Sequence, residues 1–356
     1  MTGRLRVVAA MSGGVDSSVA AALLRQQGYE VIGIMLHLWT EPGKEAENRC
    51  CAPDAVALAR RVAAMLDIPF YVMDAREQFR QAVVQGFIEG YQNNLTPNPC
   101  ILCNRTIRWS FLYQQALDLG ASFFATGHYA RILQENGLFS LHRAADRRKD
   151  QSYVLHSLTQ DQLAHTLLPL GELDKSQVRQ LARQLNLPVA ERPDSQDLCF
   201  IPDGDYRAFL SRISPQVAQP GPILNTAGRQ IGTHHGLAFY TIGQRKGLMI
   251  SSPYPLYVLG KDARSNALVV GNAEEQGASQ FEVQEASWVS GSIPGEALEA
   301  TVKIRYKSGD HPCRITPLPA NRFRVDLQER LRDITPGQYA VFYKQDVCLG
   351  GGMISP

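Results

Sequence analysis

Ser12-Gly13-Gly14-Val15-Asp16-Ser17-Ser18 joins an apolar run, Leu5 to Met11, to a segment, Ser17 to Gln27, in which Val19, Ala20, Leu23 and Leu24 recur at helical spacing before Gly28. The run reads as a buried strand and the segment as an amphipathic helix. Glycines at such a junction let the backbone approach a ligand closely, and the helix N-terminus adds unpaired N–H groups and a positive dipole end, so an anion belongs there. A plain glycine turn with a serine cap would use the same residues. The position after an apolar strand, at the C-terminal edge of a parallel sheet, and the three serines favour the anion. The loop lacks the Gly-Lys-Ser or Gly-Lys-Thr ending that puts a lysine on the β and γ phosphates, and it lacks the G-x-G-x-x-G order of a dinucleotide site. Asp16 beside phosphate oxygens calls for a bridging hard cation, which points to Mg2+.

Outward from the loop, strands and helices alternate. Val31 to Leu36 reads as a strand, Ala52 to Leu66 as a helix, Phe70 to Met73 as a strand, Glu77 to Tyr91 and Asn104 to Leu119 as helices, and Phe123 to Thr126 as a strand. Alternation of this kind implies parallel pairing with helices on both faces, a doubly wound α/β domain. Gly137 marks a hairpin, and Lys175 to Leu185 is helical by spacing. From about residue 215 the punctuation changes to Pro220, Gly221, Pro222, Gly228, Gly232 and Gly236, and Leu268 to Val270, Ala300 to Tyr306, Phe323 to Leu327 and Tyr339 to Tyr343 read as strands. The chain therefore divides into a catalytic domain over 1–200, a small central β-rich domain over 201–280 and a C-terminal β-barrel over 281–356.

Strand ends are where a nucleotide base would lie, which nominates Met35 and Gly127, the latter because a missing side chain would let the ring approach; plain core or a turn is the alternative for either. With 356 residues, 44% apolar and 20% charged, the chain excludes wholesale disorder and has material for two or three domains. The balance of 36 Lys and Arg against 34 Asp and Glu, a net +2, is silent on nucleic acid. No apolar run is long enough to span a bilayer, and the opening residues do not make a signal peptide, so the cytoplasm is the expected compartment.

Seven cysteines, an odd number, suit reduced thiols, metal ligands or redox work better than a disulfide framework. Cys100 and Cys103 form C-x-x-C directly before the helix expected from Asn104, where the helix end, Arg105 and Arg108 would favour a thiolate, Cys103 lying nearest. Cys199 sits in a polar, proline-bounded stretch. Three buried structural thiols are the alternative. Cys50 and Cys51 are adjacent, unlike zinc spacing, whereas Cys100, Cys103 and Cys199 could hold an iron–sulfur cluster with one open iron. Cys50, Cys51, Cys313 and Cys348 are assigned to packing. Arg143, Arg147, Arg148 and Lys149 form a basic cluster suited to phosphates or to a solvated turn.

SGGVDSS at 12–18, RCCAPD at 49–54, TPNPCILCNR at 96–105, FATGHYAR at 124–131, KDQSYVL at 149–155, DSQDLCFI at 194–201 and YTIGQRKGL at 240–248 occur in this order. The first resembles the PP-loop of ATP pyrophosphatases, and the set together resembles the tRNA-specific 2-thiouridylases. The resemblance implies a PP-loop ATP pyrophosphatase domain and ATP-dependent 2-thiolation of the wobble uridine of tRNA. Ala9, Ala10, Met11, Ser12, Gly13, Gly14, Val15, Asp16, Ser17, Met35 and Gly127 match ATP-contacting positions. Cys103 matches the nucleophile and Cys199 the cysteine that takes a persulfide from a sulfur-carrier protein. That sulfur then attacks directly, or leaves as hydrosulfide with a Cys103–Cys199 disulfide left behind. His128, Lys149, Asp150, Gln151, Arg305, Tyr306 and Gln338 match tRNA-contacting positions. Some members carry aspartate where this chain has Cys100.

Two rivals keep the loop and drop the rest. A PP-loop synthetase that adenylates a small molecule would leave the β half without RNA and the cysteines dispensable. A non-enzymatic iron–sulfur or RNA-binding protein would release no pyrophosphate.

Overall fold

In the computed structural model, which describes residues 4–44, 53–193 and 198–356, five parallel strands form the first sheet. β1 (Arg6–Met11) lies between β2 (Glu30–His37) and β4 (Phe123–Ala125), with β3 (Phe70–Asp74) beyond β2 and the short strand Thr166–Leu167 beyond β4. The chain winds outward through β1, β2 and β3, then returns across β1 to begin β4. Their C-terminal loops diverge at the β1/β4 boundary and open a crevice there. Both faces of β1 are covered. Val7 packs with Val19, Leu24 and Val62 on one side, and Val8 with Trp109, Leu112 and Phe124 on the other.

The helices of this domain include α1 (Val15–Gln26), α2 (Pro53–Met65), Lys175–Gln184 and continuous helical stretches over 76–92 and 99–118. Ala52, Cys50 and Cys51 fall outside the described residues. The stretch over 99–118 starts five residues earlier than apolar spacing suggests. Asn98 is its cap, accepting from Ile101 N at 3.3 Å, and Pro99 takes a first-turn position where a missing N–H costs nothing. Cys100 and Cys103 therefore lie within the helix, and Cys100 is the nearer to its start. From Asn104 to Leu112 the helix widens to π geometry.

Gly221–Asn225, Gln230–His234, Tyr257–Asp262 and Ala267–Gly271 make a separate four-stranded sheet. Beyond it, six antiparallel strands from Ala278–Trp288 to Val347–Ile354 form a barrel closed by pairing of the first with the last. The strand expected to reach Tyr306 ends at Lys303.

The hairpin Ala130–Glu135/Leu138–Arg143 turns through Asn136 and Gly137, at φ 52° and 80°, and then pairs Leu141 with Cys348 of the barrel. The barrel sheet is thus continuous with a hairpin of the first domain. The basic cluster belongs to this junction. Arg143 is buried, donates to Asp310 at 2.9 and 2.6 Å and lies 3.8 Å from the Tyr343 ring, while Arg147 pairs with Asp346. Those two arginines fasten domains together; the Arg148 side chain is 87% exposed and remains a surface cation. Among the described residues no helix is long and apolar enough to cross a membrane.

Candidate active site

Gly13 has φ +68°, and a Cβ there would meet Ala55 O at 2.5 Å, so both conformation and space require glycine. Gly14 caps α1 without a side-chain hydrogen bond, leaving the first-turn N–H groups to a ligand. The serines brace the loop: Ser17 Oγ accepts from Ser12 N at 3.1 Å and Ser18 Oγ donates to Gly14 O at 2.8 Å. Arg192 donates to Gly13 O at 2.7 Å from the far side.

Space requires glycine at 127 as well. A Cβ would lie 2.7 Å from Ser17 N and 2.8 Å from Asp16 C, so the glycine lets the β4 loop press on the first turn of α1. Asp16 accepts from Tyr129 Oη at 2.6 Å and from Lys175 Nζ at 2.8 Å through both oxygens. The loop without a lysine of its own has one beside it. Lys175 opens a helix capped by Asp174 that packs on α1, and nothing in its sequence placed it beside Asp16.

A cavity of about 210 Å3 opens at this edge, lined by Ala10, Met11, Ser12, Asp16, Ser17 and Met35 on one side and by Cys103, Ile107, Arg108, Leu112, Thr126, Gly127, His128 and Gln151 on the other. Ala9 and Val15 turn into the opposite core. Cys103 thus shares a cavity with the 12–18 loop. It also packs on the apolar cluster of Phe79, Phe87, Phe200 and Phe209, and Cys199 packs on the same cluster. The two thiols nominated from distant sequence meet one hydrophobic body.

His128 is buried, with Thr126 Oγ1 at 2.8 Å from Nδ1 and Arg108 Nη1 at 3.1 Å from Nε2. Burial first, and then the Arg108 charge, hold its pKa well below the ordinary histidine value. The ring is neutral, accepts from Arg108 and donates to Thr126, and it faces the cavity rather than the surface.

The remaining residues matched to tRNA contacts have protein partners of their own. Asp150 is buried and accepts from Ala144 N, Ser152 N and Ser152 Oγ. Gln151 exchanges hydrogen bonds with Tyr129 and lines the cavity. Arg305 donates to Ile242 O and Thr335 Oγ1, tying barrel to central domain. Tyr306 is half-buried against Tyr153, and burial, with Asp150, Asp146 and Cys100 nearby, pushes its phenol up to about 12. Gln338 donates to Thr96 O at 2.8 Å. Lys149 is half-buried, and its N donates to Asp146 O at 3.0 Å.

Cys313 and Cys348 are buried core thiols, as expected, and burial raises both, Cys313 to about 12. Cys100 is exposed. Among the described residues no three His, Cys, Asp or Glu side chains converge as metal ligands, so Cys100, Cys103 and Cys199 do not form a ready cluster site. Among the described residues Asp16 is the one carboxylate lining the cavity, enough for a Mg2+ that takes its other ligands from phosphates and water.

A family model described as a tRNA methyl transferase HUP domain matches residues 5–203, a PRC-barrel domain of the same name matches 207–272, and an aminomethyltransferase β-barrel domain matches 278–354. A tRNA-specific 2-thiouridylase MnmA of Chloroflexus aurantiacus is 46% identical over 98% of each chain. Proteins of that name from Symbiobacterium thermophilum, 47% identical over 98% of this chain and 92% of theirs, and Magnetococcus marinus, 46% over 99% and 100%, are similar throughout.

Proposed function

Because this chain belongs to the tRNA-specific 2-thiouridylases and thiolates tRNA uridine at the cost of ATP, we propose that Cys103 and Cys199 carry the sulfur and that the 12–18 loop holds the departing pyrophosphate. The observation that carries this reading is the shared cavity: loop residues Ser12, Asp16 and Ser17 face Cys103 across it. A carbonyl oxygen is a poor leaving group. Uridine O2 attacks the α-phosphorus, the bond to the bridging oxygen breaks with its electron pair, and pyrophosphate leaves on the α1 N–H groups. Asp16 would hold Mg2+, which supplies charge neutralisation to the phosphates when bound.

Cys199 accepts a terminal sulfur from a sulfur-carrier protein as a persulfide. In the hydrosulfide branch, Cys103 thiolate attacks the Cys199 sulfur, the terminal sulfur departs reduced to hydrosulfide, and the two cysteines are oxidised to a disulfide. Hydrosulfide adds at C2, and AMP leaves with the former uridine oxygen. A cellular thiol reductant must then reopen the disulfide, which suits the cytoplasm. The domains divide the work near residues 200 and 280, with chemistry in the first and the wobble uridine delivered against the two β units.

The test is a pair of assays on Cys103→Ser and Cys199→Ser with tRNA, ATP and a persulfide donor. Both variants should release pyrophosphate once per tRNA and form no 2-thiouridine. Undiminished thiolation by Cys199→Ser would overturn the assignment and favour an adenylating enzyme with dispensable cysteines.

A further inference from the structure

The π segment Asn104–Leu112 sets what faces the cavity. In an ordinary α-helix, residues five apart are separated by about 1.4 turns and point to different sides. In π geometry the hydrogen bond runs from i to i+5, so such residues stack on one face, and π segments recur at functional sites. Cys103 and Arg108 are five apart, and both line the cavity, together with Ile107 and Leu112. Arg105 lies on the exposed side. The helix is deformed so that one arginine enters beside the thiol.

That arginine is held, not loose. Nη1 donates to Asn104 Oδ1 at 2.9 Å and faces His128 Nε2 at 3.1 Å, while Asn104 is itself buried and donates to Val154 O at 3.1 Å. Neither Nε nor Nη2 has a protein partner among the described residues, and Arg108 is the sole arginine or lysine lining the cavity. His128 is neutral, so it accepts from Nη1 and does not compete as a cation.

The reaction fixes where the charge is needed. The α-phosphorus must lie within bonding distance of both the departing bridging oxygen, on the loop side, and uridine O2, which is one bond from the carbon that sulfur attacks. It therefore lies between the loop and Cys103. We propose that Arg108 is a further catalytic residue of the thiouridylase, its free Nε and Nη2 donating to the non-bridging oxygens of the α-phosphate while uridine O2 displaces pyrophosphate. This rests on the loop and Cys103 assignments above. No proton moves to or from the guanidinium. It stabilises charge as the phosphorus passes through five-coordination, and it stays on the AMP group until sulfur expels it.

The experiment is a single-turnover pyrophosphate burst with wobble-uridine tRNA and ATP, without a sulfur donor, on the full chain and on Arg108→Gln and Arg108→Lys. Arg108→Gln should slow the burst by about 10²–10³-fold, as loss of a preorganised donor does, with the dissociation constants for ATP and tRNA changed by less than about threefold. Arg108→Lys, which keeps the charge and loses the planar fork, should recover part of that rate. A normal burst with thiolation lost would overturn the proposal and place Arg108 with the sulfur chemistry. So would a loss wholly accounted for by weaker ATP binding. Should Arg108→Gln fail to fold, Arg108→Lys carries the same test, and a burst equal to that of the unaltered chain sinks the idea. Absence of any tRNA-dependent burst in the unaltered chain would instead refute the loop assignment.

Discussion

The 12–18 loop and the helix that carries Cys103 face each other across one cavity, and the loop and the segment that leads into that helix are built in opposite ways. The loop is local: seven consecutive residues supply its glycines, its bracing hydroxyls and the helix N-terminus, while among the described residues Arg192, Lys175 and Tyr129 hydrogen-bond to it from elsewhere. Residues 94–98 are held by all three domains. Lys261 of the central domain donates to Asn94 O at 3.3 Å, Thr96 N donates to Pro336 O of the barrel at 2.9 Å, and Gln338 closes on Thr96 O. Gly337 sits so near that a Cβ would be 2.7 Å from Leu95 Cβ. Anion binding needs backbone geometry, which a short sequence can encode, whereas aiming a thiol at a docked tRNA base needs the surfaces that dock the tRNA.

The largest effect expected from this contrast is on the loop. Gly13→Ala combines a positive φ with a 2.5 Å approach to Ala55 O, so it should abolish pyrophosphate release while the β half still binds tRNA. Measurable release at a tenth of the normal rate would mean the loop is less self-contained than it looks. Next is Lys175→Met, which removes the ammonium from Asp16. The expected outcome is a rise of about tenfold in the KM for ATP at nearly unchanged kcat, the scale of one charge-assisted contact. A fall in kcat alone would show that Lys175 serves the chemistry and not the ground-state site.

Gln338→Ala sharpens the other half. If Gln338 aims the helix, thiolation should fall several-fold while the pyrophosphate burst and tRNA KM hold. If it touches tRNA directly, as its family position implies, tRNA KM should rise with kcat retained, and the contrast between a local loop and a clamped segment would fail at this contact.

The same contrast explains what the sequence could reveal. The parallel sheet, the loop and the β-rich second half were legible because each is written in spacing and punctuation within a few tens of residues. Cys103 was legible by motif, yet its helix start was misplaced because the apolar pattern begins after the cap; Asn98 followed by Pro99 was the signal that could have corrected it. Lys175, the His128–Arg108 pair and the burial of Asp150 and Arg143 were not legible, since each depends on contacts far apart in the chain. A basic run such as 143–149 looks the same in sequence whether it meets phosphates or the carboxylates of Asp310 and Asp346. The π widening that turns Arg108 inward leaves no mark in composition either.

The smallest effect concerns Lys261. Burial lowers its pKa from the ordinary 10.5 to about 8, with one long hydrogen bond to Asn94 O as the ammonium's protein contact. Below about pH 8 both folded and unfolded chains hold the proton, and the fold carries the full cost of burying the charge. Between about 8 and 10.5 the unfolded chain holds the proton and the folded chain does not, so the unfolded state binds more protons and stability rises with pH. Lys261→Met removes that rise. The melting temperature of the unaltered chain should therefore gain on that of Lys261→Met as pH goes from 8 towards 10, and at pH 7 the variant should be at least as stable. A clamp that costs stability at neutral pH is retained for what it positions, so the variant's thiolation rate should still fall relative to its pyrophosphate burst. Parallel melting profiles across this range would show that Lys261 is solvated, and that the central domain does not grip the segment leading to Cys103.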